Sequence, residues 1–407
     1  MHLVGAEHDG DEVSGGMGIQ RALINKATLK LICDTRNVTA EYISRVTKCK
    51  AGSIEKWKDP QNPLLPTIRQ AKAIARCLNV PFAGLYMMPQ FVPVEKLPKW
   101  LNKRTFQGSV TFADDSTLNL AMFELLRLRR VVLDTRLELK DAVTPFVYSG
   151  DLSNTTTLAS QLRDYLGVSY EMQKATTSSR KLFLLVRSKI EGKGVMVAGF
   201  DKVPLETARG MALYFDEFPI IGVNSDDRPP AKTFSMLHEL VHVLKRQSAA
   251  CNEIGPLPSL DEEEVFCNAV AGEFLVPADL LQQENEVSKT GIDEEAIETL
   301  ASRYSVSREV ITRRLLDLGR IQPHEYETMM ESFRAELEAE RNTPRNSSST
   351  VFHRNMVREA FDRNGTSVCR ALQNGLDREI YSQQDIGDFL GIKLRHIPRL
   401  FEEASRW

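Results

Sequence analysis

No stretch of this 407-residue chain approaches the roughly 18 consecutive apolar residues that a membrane-spanning helix needs, so no membrane role is expected. An excess of charge is lacking too: 52 Lys and Arg stand against 55 Asp and Glu, and a formal net charge of -3 points the whole chain at no partner. The six cysteines (Cys33, Cys49, Cys77, Cys251, Cys267, Cys369) form no CxxC and no short-spaced pair. That spacing suggests neither a disulfide framework nor a cysteine zinc cage, and it fits buried free thiols in a reducing cytosol. Residues Met1 to Gly18 lack the basic and continuous apolar regions of a secretory signal, so residues 1–23 read as a disordered leader and the location as cytoplasmic. No internal repeat is visible.

What is present is a globular composition, 42% hydrophobic and 26% charged, over a length that predicts about two to four domains. Charge is uneven along it. Between Ile24 and Gln90 eleven basic residues face four acidic ones, which makes 24–90 a candidate for meeting a polyanion. Between Cys251 and Leu300 the balance reverses, with Lys289 the only base among many acids. Pro89, Pro93 and Pro98 cannot continue a helix and mark a linker over 91–118. Apolar residues recur at helical spacing over Asp115–Leu139, Thr155–Lys174 and Asp293–Leu318, while Val195–Phe200 and Ile220–Val223 are short and β-branched. The sequence Asn342–Thr350 reads as a joint over 341–350, separating a domain over 119–340 from a C-terminal helical module over 351–407. The expected fold class is α+β, mostly helical, with a small sheet.

Thr39–Lys58 predicts two short helices around a tight turn, with Ile43 and Val46 on one face of the first and Ile54 and Trp57 on one face of the second. With Pro66-Thr67, Ala75, Leu78 and Pro81 following, the segment resembles an XRE-type helix-turn-helix. The resemblance implies a recognition helix in the major groove, with Lys48, Lys50, Ser53 and Lys56 as the nucleic-acid contacts. The alternative for the same unit is protein docking or homodimerisation, which Lys48 at the turn, Gly52 inside the second helix and Lys58 at its end all favour.

The strongest chemical signal is His238-Glu239-Leu240-Val241-His242. Residues four apart stack on one helix face, so His238 and His242 can present imidazoles to one ion with Glu239 beside them. The flanking Phe234, Met236, Leu237, Leu240, Val241, Val243 and Leu244 make that helix apolar on most sides and therefore buried. Two histidines and a glutamate buried together are costly unless paired or bound to metal. Downstream, Asp261–Pro277 provides acids at the start of a second helix that ends at the proline.

Phe234–His242 followed by Glu264, Asn268, Ala271, Leu275 and Pro277 resembles the ImmA/IrrE metallopeptidases, whose pattern is HExxH, then a glutamate, an Asn, an Ala and a closing Leu-x-Pro. Cys267 and Val270 depart from the usual Ala and Phe. The resemblance implies a zincin-like domain with zinc or manganese on His238, His242 and Glu264, and Glu239 as the base. Glu264 is preferred to Glu263 because it lies one turn before Asn268. It also implies cleavage of a helix-turn-helix repressor or antitoxin-like regulator, which derepresses stress, mobile-element or phage-defence genes. An oxyanion stabiliser is left open among Tyr214, His324 and Tyr326. Ile220–Asn224 looks like the strand before the metal helix and is either an edge for an extended peptide or an ordinary core strand. Ile297–Leu316 has a second helix-turn-helix look and is expected to pack on the core. From a different functional class, the alternative is a DNA-binding regulator or antitoxin with a structural or sensory metal site.

Overall fold

The computed structural model describes residues 20–93, 103–105, 108–110, 115–251, 262–288, 292–342 and 355–407. Two compact units divide the chain, 1–94 and 95–407.

In the first unit, each of three helices starts where a polar side chain caps an orphan amide. Asn25 caps α1 (Lys26–Thr35), Thr39 caps α2 (Ala40–Thr47), and Thr67 with Gln70 forms a capping box on α4 (Ile68–Cys77). Between them α3 (Ala51–Lys58) follows α2 after a three-residue turn whose first residue, Lys48, is left-handed at φ 62°. That conformation costs a non-glycine residue energy, and it lets the Lys48 amide close α2 on Ser44. Leu29, Ile32, Ile43, Ile54, Trp57, Ile74 and Leu78 fill the core. Val46 does not join Ile43 there; it is 50% exposed. Two 3-10 turns, Phe82–Tyr86 and Pro89–Phe91, close the unit. Residues 1–19 of the expected leader lie outside the described residues, whereas Ala22 and Asn25 bond to Pro66 and Leu85 as part of the unit. Most of the expected linker and of the 341–350 joint is likewise outside them.

The second unit is a mostly helical α+β fold around a mixed sheet. Its strands are β1 (Lys103–Thr105), β2 (Gly108–Val110), β3 (Met196–Phe200), β4 (Gly210–Leu213), β5 (Ile220–Asn224) and β6 (Ala249–Cys251). Their order is β2-β1-β6-β4-β5-β3, with β5 parallel to β3 and antiparallel to β4. β5 is thus hydrogen-bonded on both sides and buried, which decides for the ordinary core strand and against the peptide edge. Asn224 at its end donates from Nδ2 to the Val203 and Ala208 carbonyls at 2.8 Å each and fastens the loop between β3 and β4.

Helices cover the sheet. The long apolar repeat becomes α5 (Ser116–Glu138), and the next divides at left-handed Gly167 into α6 (Thr155–Leu166) and α7 (Tyr170–Lys174), followed by α8 (Ser179–Glu191). Pro229 and Pro230 open α9 (Pro229–Leu244), where a missing amide costs nothing, and every residue from Thr233 to Leu244 is buried against β4, β5, α8 and α10 (Glu262–Leu275). Short α11 (Ala278–Gln282) and α12 (Asn285–Ser288) lead to α13 (Glu294–Tyr304) and α14 (Arg308–Asp317), split at left-handed Ser305, then α15 (Pro323–Asn342). The pair α13 and α14 buries Ile297, Leu300, Val310, Ile311 and Leu315, and Arg314 bonds to Glu273 and to the Val276 carbonyl at the end of α10.

The C-terminal helices α16 (Met356–Asp377), α17 (Gln383–Leu390) and α18 (Ile397–Ser405) belong to this unit: α16 packs on α5, α8 and β3. α16 is broken at Gly365, φ 76°. The two half-helix ends are satisfied by a buried pair from α8. Arg187 donates to the Asp362 carbonyl at 2.7 Å and to Val197 at 2.5 Å, while Glu191 accepts the Thr366 and Ser367 amides at 3.0 Å each. The two side chains lie 3.6 Å apart.

Candidate metal centre

Helix periodicity places His238 and His242 one turn apart on α9, and α10 crosses them with Glu264. His238 Nδ1 faces the Asn268 amide oxygen at 2.8 Å and His242 Nδ1 faces that of Gln247 at 3.3 Å. An amide oxygen only accepts, so each Nδ1 carries the hydrogen and each Nε2 is left with a lone pair. Those two Nε2 atoms point at each other across 3.2 Å. Glu264 closes on both, 3.1 Å from His238 Nε2 and 3.4 Å from His242 Nε2. Cys251 at the end of β6 adds a sulfur 3.5 Å from His242 Nε2 and 3.7 Å from Glu264 Oε1. The four donor atoms of His238, His242, Cys251 and Glu264 all lie within 4.8 Å of one another.

Acceptors do not gather at such distances without a proton or a metal cation between them. Around a tetrahedral divalent ion with bonds of about 2.0–2.3 Å, neighbouring nitrogen and oxygen donors stand about 3.3 Å apart and a thiolate about 3.6 Å from them. Five separations, at 3.1–3.7 Å, match those edges, with Glu264 using Oε2 toward His238 and Oε1 toward His242 and Cys251. Glu239 stands beside them, fully buried, with only the Cys251 thiol and the Ala212 amide near enough to act on its carboxylate and neither in good hydrogen-bond geometry. The room for it comes from Gly210 on β4, where a Cβ would sit 2.7 Å from Glu239 Cγ.

The electrostatics agree. Burial pushes the Glu239 carboxyl up to about 8. Against burial, the neighbouring His238 and His242 hold Glu264 far below the usual carboxylate range. His242 is raised, also against burial, by Cys251, Cys267 and Glu264. A metal-free cluster of this kind takes up a proton that metal binding must expel.

Glu263 lies within 4.8 Å of His242 and Cys267, but its carboxylate is spent on Lys245 at 2.6 Å and Gln247 at 3.1 Å, thereby orienting the amide that fixes His242. Of the side chains considered for an oxyanion, Tyr214 donates its hydroxyl to Asp216 at 2.9 Å, His324 is exposed on α15, and Tyr326 is buried. Cys251 was missed from the sequence because its cue is positional. It follows His242 by nine residues and has no cysteine partner, so only pairing of β6 with β4 brings it to the cluster.

Residues 200–316 match the family model of the IrrE N-terminal-like domain, Peptidase_M78, a stretch holding all five of these side chains. The chain carries an ImmA/IrrE-family peptidase domain. No curated protein and no solved structure matches the chain. An ImmA/IrrE-family peptidase is a metallopeptidase, so the family implies a metal, and the cluster that could bind one is that of His238, His242, Cys251 and Glu264. Among the described residues no helix is long and apolar enough to cross a membrane.

The sequence-predicted nucleic-acid residues lie in the other unit. Lys48, Lys50 and Lys56 are exposed at the α2–α3 turn and along α3, and Ser53 is half-buried beside them. Lys58 is paired with Glu55 at 3.0 Å.

Proposed function

We propose that this chain is a zinc-dependent, site-specific endopeptidase in which His238, His242 and Glu264 hold the ion and Glu239 is the general base. The observation that carries this reading is the convergence of three tautomer-fixed or ionised donors beside a buried carboxylate with no well-aligned hydrogen bond. When bound, the metal supplies Lewis-acid polarisation of the scissile carbonyl and of water. Glu239, kept ionised by the neighbouring cation, takes the proton from the attacking water and delivers it to the leaving amine, a transfer that burial favours by raising the carboxyl's proton affinity. Asn268 and Gln247 keep both imidazoles in the ligating tautomer. Manganese could replace zinc on this donor set if Cys251 stays off it, since a thiolate favours the softer ion.

The substrate class is a helix-turn-helix repressor or antitoxin-like regulator, and the unit spanning 24–90 tethers the peptidase to DNA through Lys48, Lys50, Ser53 and Lys56, or to a partner copy or protein. The six free cysteines fit a reducing, cytoplasmic setting. The purified protein is expected to hold about one metal ion per chain. Glu239→Gln should retain the ion and lose cleavage of the cognate repressor by at least about 1,000-fold, while His238→Ala with His242→Ala loses the ion. Full cleavage by the Glu239→Gln protein would sink the assignment.

A second reading, a DNA-binding regulator or antitoxin whose metal is structural or sensory, draws on one observation: Cys251 gives the cluster a fourth protein donor, and structural sites are closed by four. Unaltered repression by Glu239→Gln in cells, with no cleavage by either protein, would favour it.

A further inference from the structure

Catalysis at a site of this kind needs three protein ligands and one open position. Four donors converge here, and strand pairing is what brings the fourth. β6 runs antiparallel to β4 with Cys251 directly opposite Gly210 and Ala249 opposite Ala212. Directly opposed residues of an antiparallel pair put their side chains on the same face, so Cys251 shares the face on which the missing side chain of Gly210 makes room for Glu239. The Cys251 amide plane is fixed as well, since its carbonyl accepts the Arg209 amide at 2.8 Å. Its sulfur is therefore aimed at the cluster by the backbone, and the chain is nearly closed over it, with Cys251 6% exposed.

A buried thiol beside histidines can also be a bystander. Two independent observations speak against that. The sulfur stands at tetrahedron-edge distances from two of the donors, 3.5 and 3.7 Å, whereas the neighbouring Cys267 lies 3.9 Å from the opposite, hydrogen-bearing nitrogen of His242. The buried Glu264 Oε2 stands 3.1 Å from His238 Nε2, whose other nitrogen is spent on Asn268, and two facing acceptors of that kind call for a cation between them.

Resting on the metal assignment made above, we propose that Cys251 is a fourth metal ligand that fills the position catalysis requires, so that the fold seen here is a latent form of the peptidase. The active form arises when Cys251 withdraws. β6 is only three residues long and Cys251 is its last, so withdrawing the sulfur breaks pairing only at the strand's end, to Arg104 of β1 and Gly210 of β4.

The test uses the full chain with its metal replaced by cobalt(II), whose spectrum reports thiolate ligation. One cobalt per chain is expected with a near-ultraviolet thiolate-to-cobalt charge-transfer band. Cys251→Ala should still bind one cobalt, lose the band and bind about 10–100-fold more weakly, and Cys267→Ala should keep the band. Acetohydroxamate, a small chelating probe for an open position, should shift the visible bands of the Cys251→Ala protein and leave those of the parent unchanged. Cys251→Ser serves as the second variant should the alanine protein fail to fold. Stoichiometric cobalt without the thiolate band, or an equal acetohydroxamate response in parent and variant, overturns the latent-site proposal and leaves the peptidase reading standing. No stoichiometric cobalt in the parent overturns both.

Discussion

Glu239 is held in a place that suits it only when a cation is near. It is fully buried and has no well-aligned hydrogen bond among the described residues, and burial pushes its carboxyl up to about 8 against an ordinary value of 4.5. The direction of the linked stability follows. Between those two values the unfolded chain has released a proton that the folded, metal-free chain still holds, so raising the pH across the window destabilises the fold. Glu239→Gln removes that burden. For chelator-treated protein, its melting temperature should exceed the parent's by at least about 5 °C at about pH 8.5, with the gap narrowing at about pH 5. Saturating metal should shrink the difference at the higher pH, since a neighbouring cation favours the charged carboxylate. A constant gap at all pH values would mean that packing, not ionisation, sets the effect.

Among the elements, broken α16 shows why a helix can sit where its sequence forbids continuity. Gly365 takes φ 76°, and a Cβ there would meet Arg187 and Glu191, so the break and the buried pair require each other. Arg187 satisfies carbonyls at the end of the first half and Glu191 satisfies amides at the start of the second. Because α16 also packs on edge strand β3, the pair ties the C-terminal helices to the sheet that supports α9. Glu191→Ala leaves a buried guanidinium without its counter-charge and two amides unpartnered, a loss of about 3–5 kcal/mol and roughly 10 °C in the melting temperature of this unit. Hydrogen exchange should locate the damage: amides of residues 366–377 are expected to lose protection before those of α9. Unchanged protection in α16 would remove the pair from this role.

For the whole molecule, the chemistry and the basic surface belong to different compact units, and that division permits a clean separation of functions. If Lys48, Lys50 and Lys56 meet phosphates, a duplex from the protein's own promoter should bind with steep salt dependence, and each Lys→Ala change should lower the log-log salt slope by about one. Removing residues 1–94 should abolish that binding and leave metal content unchanged, because the two units are separate clusters of contacts. Absence of binding to any promoter fragment at low salt, with a partner protein copurifying through residues 24–90, makes the unit a docking module.

By itself the sequence determined the parts of the centre that local periodicity can specify. A four-residue spacing puts His238 and His242 on one face in any α-helix, and the same rule sets Glu264 one turn from Asn268. Runs such as Ser116–Glu138 and Ile220–Asn224 declare their helix or strand because their apolar residues recur with one period or are β-branched throughout. Only the tertiary structure decided what depends on contacts distant along the chain. Gly210–Leu213 and Ala249–Cys251 are too short and too low in β-branched residues to announce strands, and it is their pairing that carries Cys251 to the imidazoles. Val46 matches its helical stripe and yet faces solvent, and β5 lies inside the sheet because β3 and β4 both claim its edges. The C-terminal helices look detachable behind a polar joint, but an ion pair on α8 receives them into the core. Local spacing fixes which side chains share a face, whereas the identity of the fourth donor is settled by which backbones come to lie side by side.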